Sequence, residues 1–542
     1  MTTSNNSKGI SRKDFIKGAA FGIAGIATMG LAGCSTDAAK NNPPAPAPAE
    51  GIAWDHETDV VVVGFGGSGG AAAWEAGNAG SEVIILELAK GAGGSTNICG
   101  GLVTIGGGNA LQKAAGFEDS PENFYNYLTA ALGTGADEEQ CRIFAEQSPA
   151  MYTWLTEKIG VKFNRGVNPL WPDTPNPTAG LTCTGDEYHM DYAAVSKAVH
   201  RTGWVDSETR PGGRDGSGFF QPLLRAVEAL PQVKIMYETV GEQLIYDHDQ
   251  KRVLGIKAKK GDKTLSIKAR KAVVLTAGGF AKNEDMVRTY CPAFNGVLAL
   301  GTAGDNGAGI KMGQAVGAAL QNMHMAFSTS TAYAYITQEG CAGGPLSQGI
   351  IVNQFGSRYV AEDHYHSWIA EYMLQNRQPQ KHLPSYLLFD AQMYDTLPEK
   401  SKESLEKAKV TKANSIEELA KALSTSEGVL ENTVQFYNSK AAEGKDPLLN
   451  KQSKFIKPIA TAPFYALEIV PTSMFTVGGL RINTKAQVLS AETGAPITGL
   501  YSAGRNAANV IAQQYGGSGT SVATCFVFGR IAGQNAAAEA AI

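Results

Sequence analysis

Asp59-Val60-Val61-Val62-Val63-Gly64-Phe65-Gly66-Gly67-Ser68-Gly69 decides the fold. A hydrophobic strand runs straight into a G-x-G-x-x-G turn. A second apolar run, Val83-Ile84-Ile85-Leu86, ends at the acidic residue Glu87. Strand, glycine turn and an acid about twenty residues on form the dinucleotide fingerprint. Gly64 permits the tight turn, Gly66 lets the backbone approach a pyrophosphate, and Gly69 lets the helix pack on the strand. The pyrophosphate is expected on the amide-rich start of a helix covering residues 71–77, with Glu87 on the ribose hydroxyls.

The chain has 542 residues and a net charge of −4, enough for two or three domains with a sizeable core and without the basic balance of a nucleic-acid binder. No apolar stretch beyond the N-terminus reaches the ~18 residues that a membrane span needs. The N-terminus reads as an export signal. Ser11-Arg12-Lys13-Asp14-Phe15-Ile16-Lys17 resembles a twin-arginine motif with Lys13 in place of the second arginine, and a mildly apolar, glycine-rich segment follows. Leu31-Ala32-Gly33-Cys34 then resembles a lipobox, which makes Cys34 the expected lipid anchor on the outer face of the membrane. Residues 1–34 form this signal, and residues 35–55 a Pro/Ala-rich tether.

Seven cysteines occur, at 34, 99, 141, 183, 291, 341 and 525. Their spacing matches neither a zinc site nor an attached c-type haem, and no metal ligand is assigned. The six beyond the anchor are open to three readings: buried thiols, disulfides, or separated ligands of an iron–sulfur cluster.

A second glycine-rich loop, Gly91-Ala92-Gly93-Gly94-Ser95-Thr96-Asn97 with Gly100-Gly101, suits the other side of a diphosphate. Residues 121–160 read as helical. Residues 166–218 are rich in glycine, proline and aromatics. A strand meander is expected at 234–239, 243–246 and 253–258, closing on 272–280. Residues 400–437 read as charged and helical, and an apolar helix is expected at 522–538.

These blocks, in this order, resemble the fumarate reductase / 3-ketosteroid dehydrogenase family of FAD flavoproteins. The resemblance rests on VVVGFGGSGG, GGSTNICGG, VVLTAGGFAKNEDM, GDNGAGIKMG, VNQFGSRYVAED, PTSMFTVGGL, GLYSAG and YGGSGTSVATCFVFGRIAG, and covers residues 56–542. It implies an α/β fold: a Rossmann-like, GR2-type FAD-binding domain in two segments, 56–322 and 476–542, with an α+β capping domain, 323–475, inserted between them. It implies non-covalent FAD and hydride exchange at flavin N5. The cofactor contacts carried over are Gly64, Gly66, Gly67, Ser68, Gly69, Glu87, Gly93, Gly94, Ser95, Thr96, Gly100, Gly101, Val240, Ala277, Gly278, Gly279, Asp305, Gly504, Asn506, Ser521 and Val522.

Departures from the family narrow the chemistry. Fumarate reductases clamp their substrate carboxylates with two arginines and a histidine, because charged donors suit planar carboxylates. Those positions here hold His366, Phe475 and Gln514, which argues against a dicarboxylate. Tyr515-Gly516-Gly517-Ser518-Gly519 resembles the ketosteroid dehydrogenase turn instead, where a tyrosine hydroxyl and the last glycine's N–H hold a ketone oxygen. Tyr515 and Gly519 are therefore the expected carbonyl donors, and Tyr365 or His366 the proton donor. Tyr333, Tyr335 and Trp171 are pocket-wall candidates that packing alone explains as well.

The resemblance extends in design to the cardiac glycoside reductases of gut actinobacteria. The expectation is an exported reductase of a bulky, apolar enone that draws electrons from a membrane or multihaem cytochrome and has no nucleic-acid partner. The reverse desaturation, a small-acrylate reductase and a ligand-binding lipoprotein are the rivals.

Overall fold

The computed structural model describes residues 51–542 except 134, 164–179, 183, 186, 189, 333–344, 376–383, 398, 409, 509 and 513. The export signal and nearly all of the tether, with Cys34, lie outside the described residues, as do Trp171, Tyr333 and Tyr335.

Strand β1 (His56–Val63) leads through the glycine turn into helix α1 (Gly67–Asn78), and β2 (Val83–Leu86) follows. β2 pairs parallel to β1, with Val60 opposite Val83. The next strands of the same sheet are β3 (Val233–Met236), β4 (Thr239–Asp247), β5 (Arg252–Lys260) and β6 (Lys263–Leu275). β3 pairs parallel to β2, and β6 parallel to β1 on its other side. The expected meander is thus corrected at its first strand, while its closing strand runs back into the main sheet. β3 is not part of it: Val233–Met236 joins the edge of the parallel sheet. β6 is one 13-residue strand that starts in the meander and ends inside the main sheet. Val60–Val62 and Ala272–Leu275 are wholly buried because the parallel sheet is covered on both faces.

Strand β7 (Ala326–Ala332), helix α2 (His366–Gln375) and the long strand β8 (Phe464–Thr476) belong to the inserted region. β8 is the spine of a second, six-stranded sheet and pairs antiparallel with β7 and with Ser385–Asp390. It also pairs with Val410–Ala413, a strand that interrupts the charged run expected to be helical throughout; helices flank it at Glu399–Lys407 and Ile416–Leu423. A separate apolar cluster, from Ile350 to Ile469, fills this part. The chain then returns through β9 (Pro496–Ser502), parallel to β6, into helix α3 (Thr520–Ala538). α3 lies against α1 at backbone contact: a Cβ on Gly529 would fall 2.6 Å from the Ser68 carbonyl oxygen.

The family block around VNQFGSRYVAED has a structural task. Arg358 forms ion pairs with Glu362 (2.8 Å) and Asp446 (2.9 Å), and Lys451 reaches Glu362 at 3.2 Å, all at most 4% exposed. Burial opposes ionisation of Glu362, but Lys451 and Arg358 outweigh it and hold its pKa below the usual 4.5. A carboxylate with a depressed folded-state pKa contributes stability that is full above its unfolded pKa and is lost as pH falls through the folded value. Glu362→Ala leaves the buried Lys451 without its carboxylate partner while Arg358 keeps Asp446, and is expected to cost about 3–5 kcal/mol in chemical denaturation. A loss below about 1 kcal/mol would show the cluster to be dispensable.

Candidate active site

The first glycine turn behaves as its sequence requires. A Cβ on Gly64 (φ +98°) would meet the Thr276 carbonyl oxygen at 2.7 Å, and one on Gly69 would overlap the Gly64 carbonyl at 1.9 Å. One on Gly66 would meet nothing nearer than 3.8 Å, which leaves that side of the turn open. The residue before α1, Gly66, offers no side-chain cap, which leaves first-turn amides beyond that of Gly67 for a ligand. Glu87 accepts from the Phe65 and Ala89 N–H groups, both at 2.9 Å, which fixes its carboxylate at the end of β2. Thr96 Oγ1 accepts from Gly67 N–H at 3.0 Å. Ser95 donates to Asp305 at 2.9 Å, and the other carboxylate oxygen accepts from Gly279 N–H at 3.1 Å. Gly278 (φ +81°) and Gly504 (φ +67°) adopt backbone conformations that favour glycine, and a Cβ on Gly504 would strike Ser68 Oγ at 2.4 Å. Gly93 is buried at the base of the second loop, while Gly94 and Gly100 are exposed on it and Gly101 is buried behind it. Val240 is 42% exposed just after Thr239, whose N–H bonds the Glu87 carbonyl. Asn506 is fully buried and has an unpartnered Oδ1. An open turn, an uncapped helix start, a fixed carboxylate and small residues at each close approach fit FAD.

Beyond this trough lies an aromatic box. The Tyr515 ring sits 4.1 Å from Phe327, 5.5 Å from Phe475 and 6.4 Å from Tyr365, centroid to centroid. The Tyr515 hydroxyl accepts from Ser521 N–H at 3.0 Å, so its own proton remains available to a ligand. Burial pushes its pKa up, against the opposing pull of the Ser521 and Gly519 amides. Gly519 (φ +90°) begins α3, and a Cβ there would fall 2.7 Å from Thr104 N. Ser521 and Val522 thus belong to the first turn of α3, with the Ser521 amide engaged by Tyr515. Gln514 is half-buried, and its backbone N–H bonds the Leu132 carbonyl at 3.3 Å.

The two proton-donor candidates separate in the structure. Tyr365 Oη lies 2.8 Å from Ser518 Oγ, on the 515–519 loop itself. His366 Nδ1 lies 2.8 Å from Thr329 Oγ1, and burial pulls its pKa down to about 4. Its folded pKa lies below the ordinary 6.5, so protonation favours the unfolded chain and stability falls as pH drops from 6.5 towards 4. Tyr365→Phe is expected to slow turnover ~100-fold, within the range of general acid catalysis. His366→Gln is expected to slow it less than tenfold and to flatten the acid limb of the stability profile. The opposite order would make His366 the proton donor.

Sequence reasoning missed Ser518, Phe327 and Arg505. Arg505 lies 3.3 Å from Asp305 with its guanidinium over the Phe475 ring, 5.4 Å from the centroid. This cation lies against the box, and Asp305 pairs with it. The Cys99 and Cys525 thiols lie near Arg505, and burial raises both to about 11. Cys99, Cys141, Cys291 and Cys525 are free, and among the described residues no three potential metal ligands come together. Among the described residues no helix is long and apolar enough to cross a membrane.

A dinucleotide trough that ends in an aromatic box with a hydrogen-bonding loop defines a flavoenzyme. The FAD binding domain family matches residues 59–522, and the chain belongs to it. The urocanate reductase of Eggerthella lenta is 30% identical over 527 residues, covering 93% of this chain and 78% of that one. The 3-ketosteroid-Δ4-(5α)-dehydrogenase of Rhodococcus jostii RHA1, solved with 4-androstene-3,17-dione, superposes with a TM-score of 0.77 at 35% identity over 91% of this chain and 99% of that chain. A flavocytochrome c3 fumarate reductase in its open conformation gives 0.67 at 25% identity, over 91% and 80%. This chain is an FAD-dependent oxidoreductase acting on CH–CH groups.

Proposed function

We propose that this enzyme reduces the carbon–carbon double bond of an α,β-unsaturated carbonyl in a bulky, largely apolar, steroid-like molecule. The unsaturated lactone of a cardiac glycoside is the best-fitting example. The observation that carries the reading is the convergence of the Tyr515 hydroxyl and the Tyr365–Ser518 pair on an aromatic box of Phe327 and Phe475. Bound FAD supplies hydride chemistry at N5. Tyr515 and the Gly519 N–H hold the carbonyl oxygen, where negative charge builds as the β-carbon is reduced. Tyr365, hydrogen-bonded to Ser518, delivers the proton to the α-carbon. His366, Phe475 and Gln514 stand where fumarate reductases hold carboxylates, and the nearby Arg505 is already paired with Asp305. The likeness to a ketosteroid dehydrogenase over nearly the whole chain favours a steroid-sized ligand.

That likeness also supports a second reading, desaturation of a saturated ring ketone. The likeness to urocanate reductase supports a third, reduction of a small acrylate. An anaerobic screen of enones, unsaturated lactones, saturated ring ketones and small acrylates separates the three. The dye-reduced protein is offered the unsaturated compounds, and the oxidised protein the saturated ones. Flavin reoxidation by a polycyclic enone or lactone is expected; faster turnover of urocanate or fumarate sinks the reading.

The proposal extends to the cell. The N-terminal signal exports the protein, Cys34 anchors it to the membrane, and a membrane or multihaem cytochrome supplies electrons. The likeness to a flavocytochrome supports that class of donor. Reduction of the flavin by a cytochrome or viologen but not by NADH is expected, and efficient NADH turnover removes this part.

A further inference from the structure

We propose that Thr202 and Thr104 are positioning residues for the carbonyl-binding N–H of Gly519, acting on the opposite end of the same peptide unit. The inference rests on the reading of the 515–519 loop as the carbonyl site. The Ser518 carbonyl oxygen accepts from Thr202 Oγ1 at 2.9 Å and from Thr104 Oγ1 at 3.2 Å. The only cis peptide among the described residues is Ala462–Pro463, so the Ser518–Gly519 unit is trans. Its carbonyl and its N–H therefore point in opposite directions. Fixing the carbonyl on the two threonines aims the N–H the other way, towards the Tyr515 hydroxyl, on which the Gly519 amide acts.

The threonines are a matched pair. Leu102–Thr104 and Thr202–Trp204 are neighbouring strands of a small three-stranded sheet, and Thr104 is directly opposite Thr202. Directly opposite residues project from the same face of a sheet, so both hydroxyls reach one acceptor. Both side chains are fully buried, a place where valine would pack as well without a hydroxyl to satisfy. A third threonine extends the arrangement: Thr184 Oγ1 lies 3.0 Å from Thr202 Oγ1. Each hydroxyl carries one proton. Thr202 Oγ1 is the donor towards Thr184 Oγ1 as well as towards the Ser518 carbonyl, so its one proton is shared between two acceptors. Hydrogen bonds in such a chain polarise one another, and a peptide whose carbonyl accepts two of them is a stronger donor at its N–H. The loop is held from other sides by Ser518 N–H on the Thr184 carbonyl (2.6 Å) and by Tyr127 Oη on the Gly516 carbonyl (2.8 Å). These contacts fix the position of the loop, while the threonine pair acts on the donor peptide itself.

The test uses the FAD-loaded full chain and a series of 2-naphthols of graded acidity, mimics of the enolate, with naphthalene as the oxygen-free control. Binding is read from the flavin absorption spectrum. Thr202→Val is expected to weaken the most acidic naphthol ~10-fold and to flatten the dependence of affinity on naphthol acidity, with naphthalene unchanged. Thr104→Val changes the same slope less, and Thr202→Ser restores it. If Thr202→Val proves unstable, Thr104→Val reads the same peptide from the facing strand. Equal losses for naphthol and naphthalene, or an unchanged slope, overturn the proposal. Tyr515→Phe separates the two levels. If it leaves naphthol binding intact, the carbonyl-site reading fails; if it weakens binding while neither threonine variant does, only the present proposal fails.

Discussion

Tyr515→Phe is expected to lower kcat by ~10²–10³, the loss found when one preorganised donor is removed from an oxyanion site. The ring remains, so its contacts with Phe327 and Phe475 and the flavin content should survive. The hydroxyl is lost, and with it the donor that the proposed function places on a carbonyl oxygen whose charge grows towards the transition state. An interaction that strengthens along the reaction is read in kcat more than in KM. The pH profile carries a second signature. Burial raises the Tyr515 pKa above the phenol value of 10, so the wild-type hydroxyl stays protonated and no activity is lost to its ionisation below about pH 10. A fall in kcat of less than fivefold, measured with dye-reduced enzyme, would remove Tyr515 from the chemistry.

The second large effect divides two glycines of one motif. Gly69→Ala drives a Cβ to 1.9 Å from the Gly64 carbonyl oxygen and 2.8 Å from Thr276 Oγ1. Neither a backbone carbonyl nor a hydroxyl bonded to that turn can retreat, since Thr276 Oγ1 donates to both Val63 and Gly64 carbonyls. β1 and α1 must separate, and the variant is expected to be flavin-free and unstable. Gly66→Ala adds its methyl group to open space, at an ordinary extended φ of −93°. That protein should fold with nearly wild-type stability as apoenzyme yet bind FAD ~100-fold more weakly, because the methyl group occupies the path of the pyrophosphate. Flavin titration and thermal unfolding of both apoproteins check the pair. Equal destabilisation by the two substitutions would show that Gly66 faces protein rather than cofactor.

How far the sequence could be read depended on how local each cause was. β1, the glycine turn and Glu87 were legible because a continuous apolar run, positive φ and tight approach act over a few neighbouring residues. The strand Val410–Ala413 was not, because its charged surroundings favour helix and only pairing with β8 overrides them. Val233–Met236 was read into the meander rather than beside β2 for the same reason: a short apolar strand carries no mark of its partner. In the site, the donor turn 515–519 was visible as a motif. The choice between Tyr365 and His366 was not, since adjacent residues of one segment differ only in where the fold points them. Arg358 and Glu362 stood out as a family block, yet their task is a buried ion cluster in the inserted region.

By itself the sequence determined that this chain binds FAD in a Rossmann-like domain. That follows from residue identity at positions whose local geometry is set by the chain. The tertiary structure alone decided that Thr104 and Thr202 back the Gly519 peptide, that Ser518 holds Tyr365 and that Asp305 pairs with Arg505. Those partners lie at least 153 residues apart, and each contact exists only once distant segments of the chain have packed together.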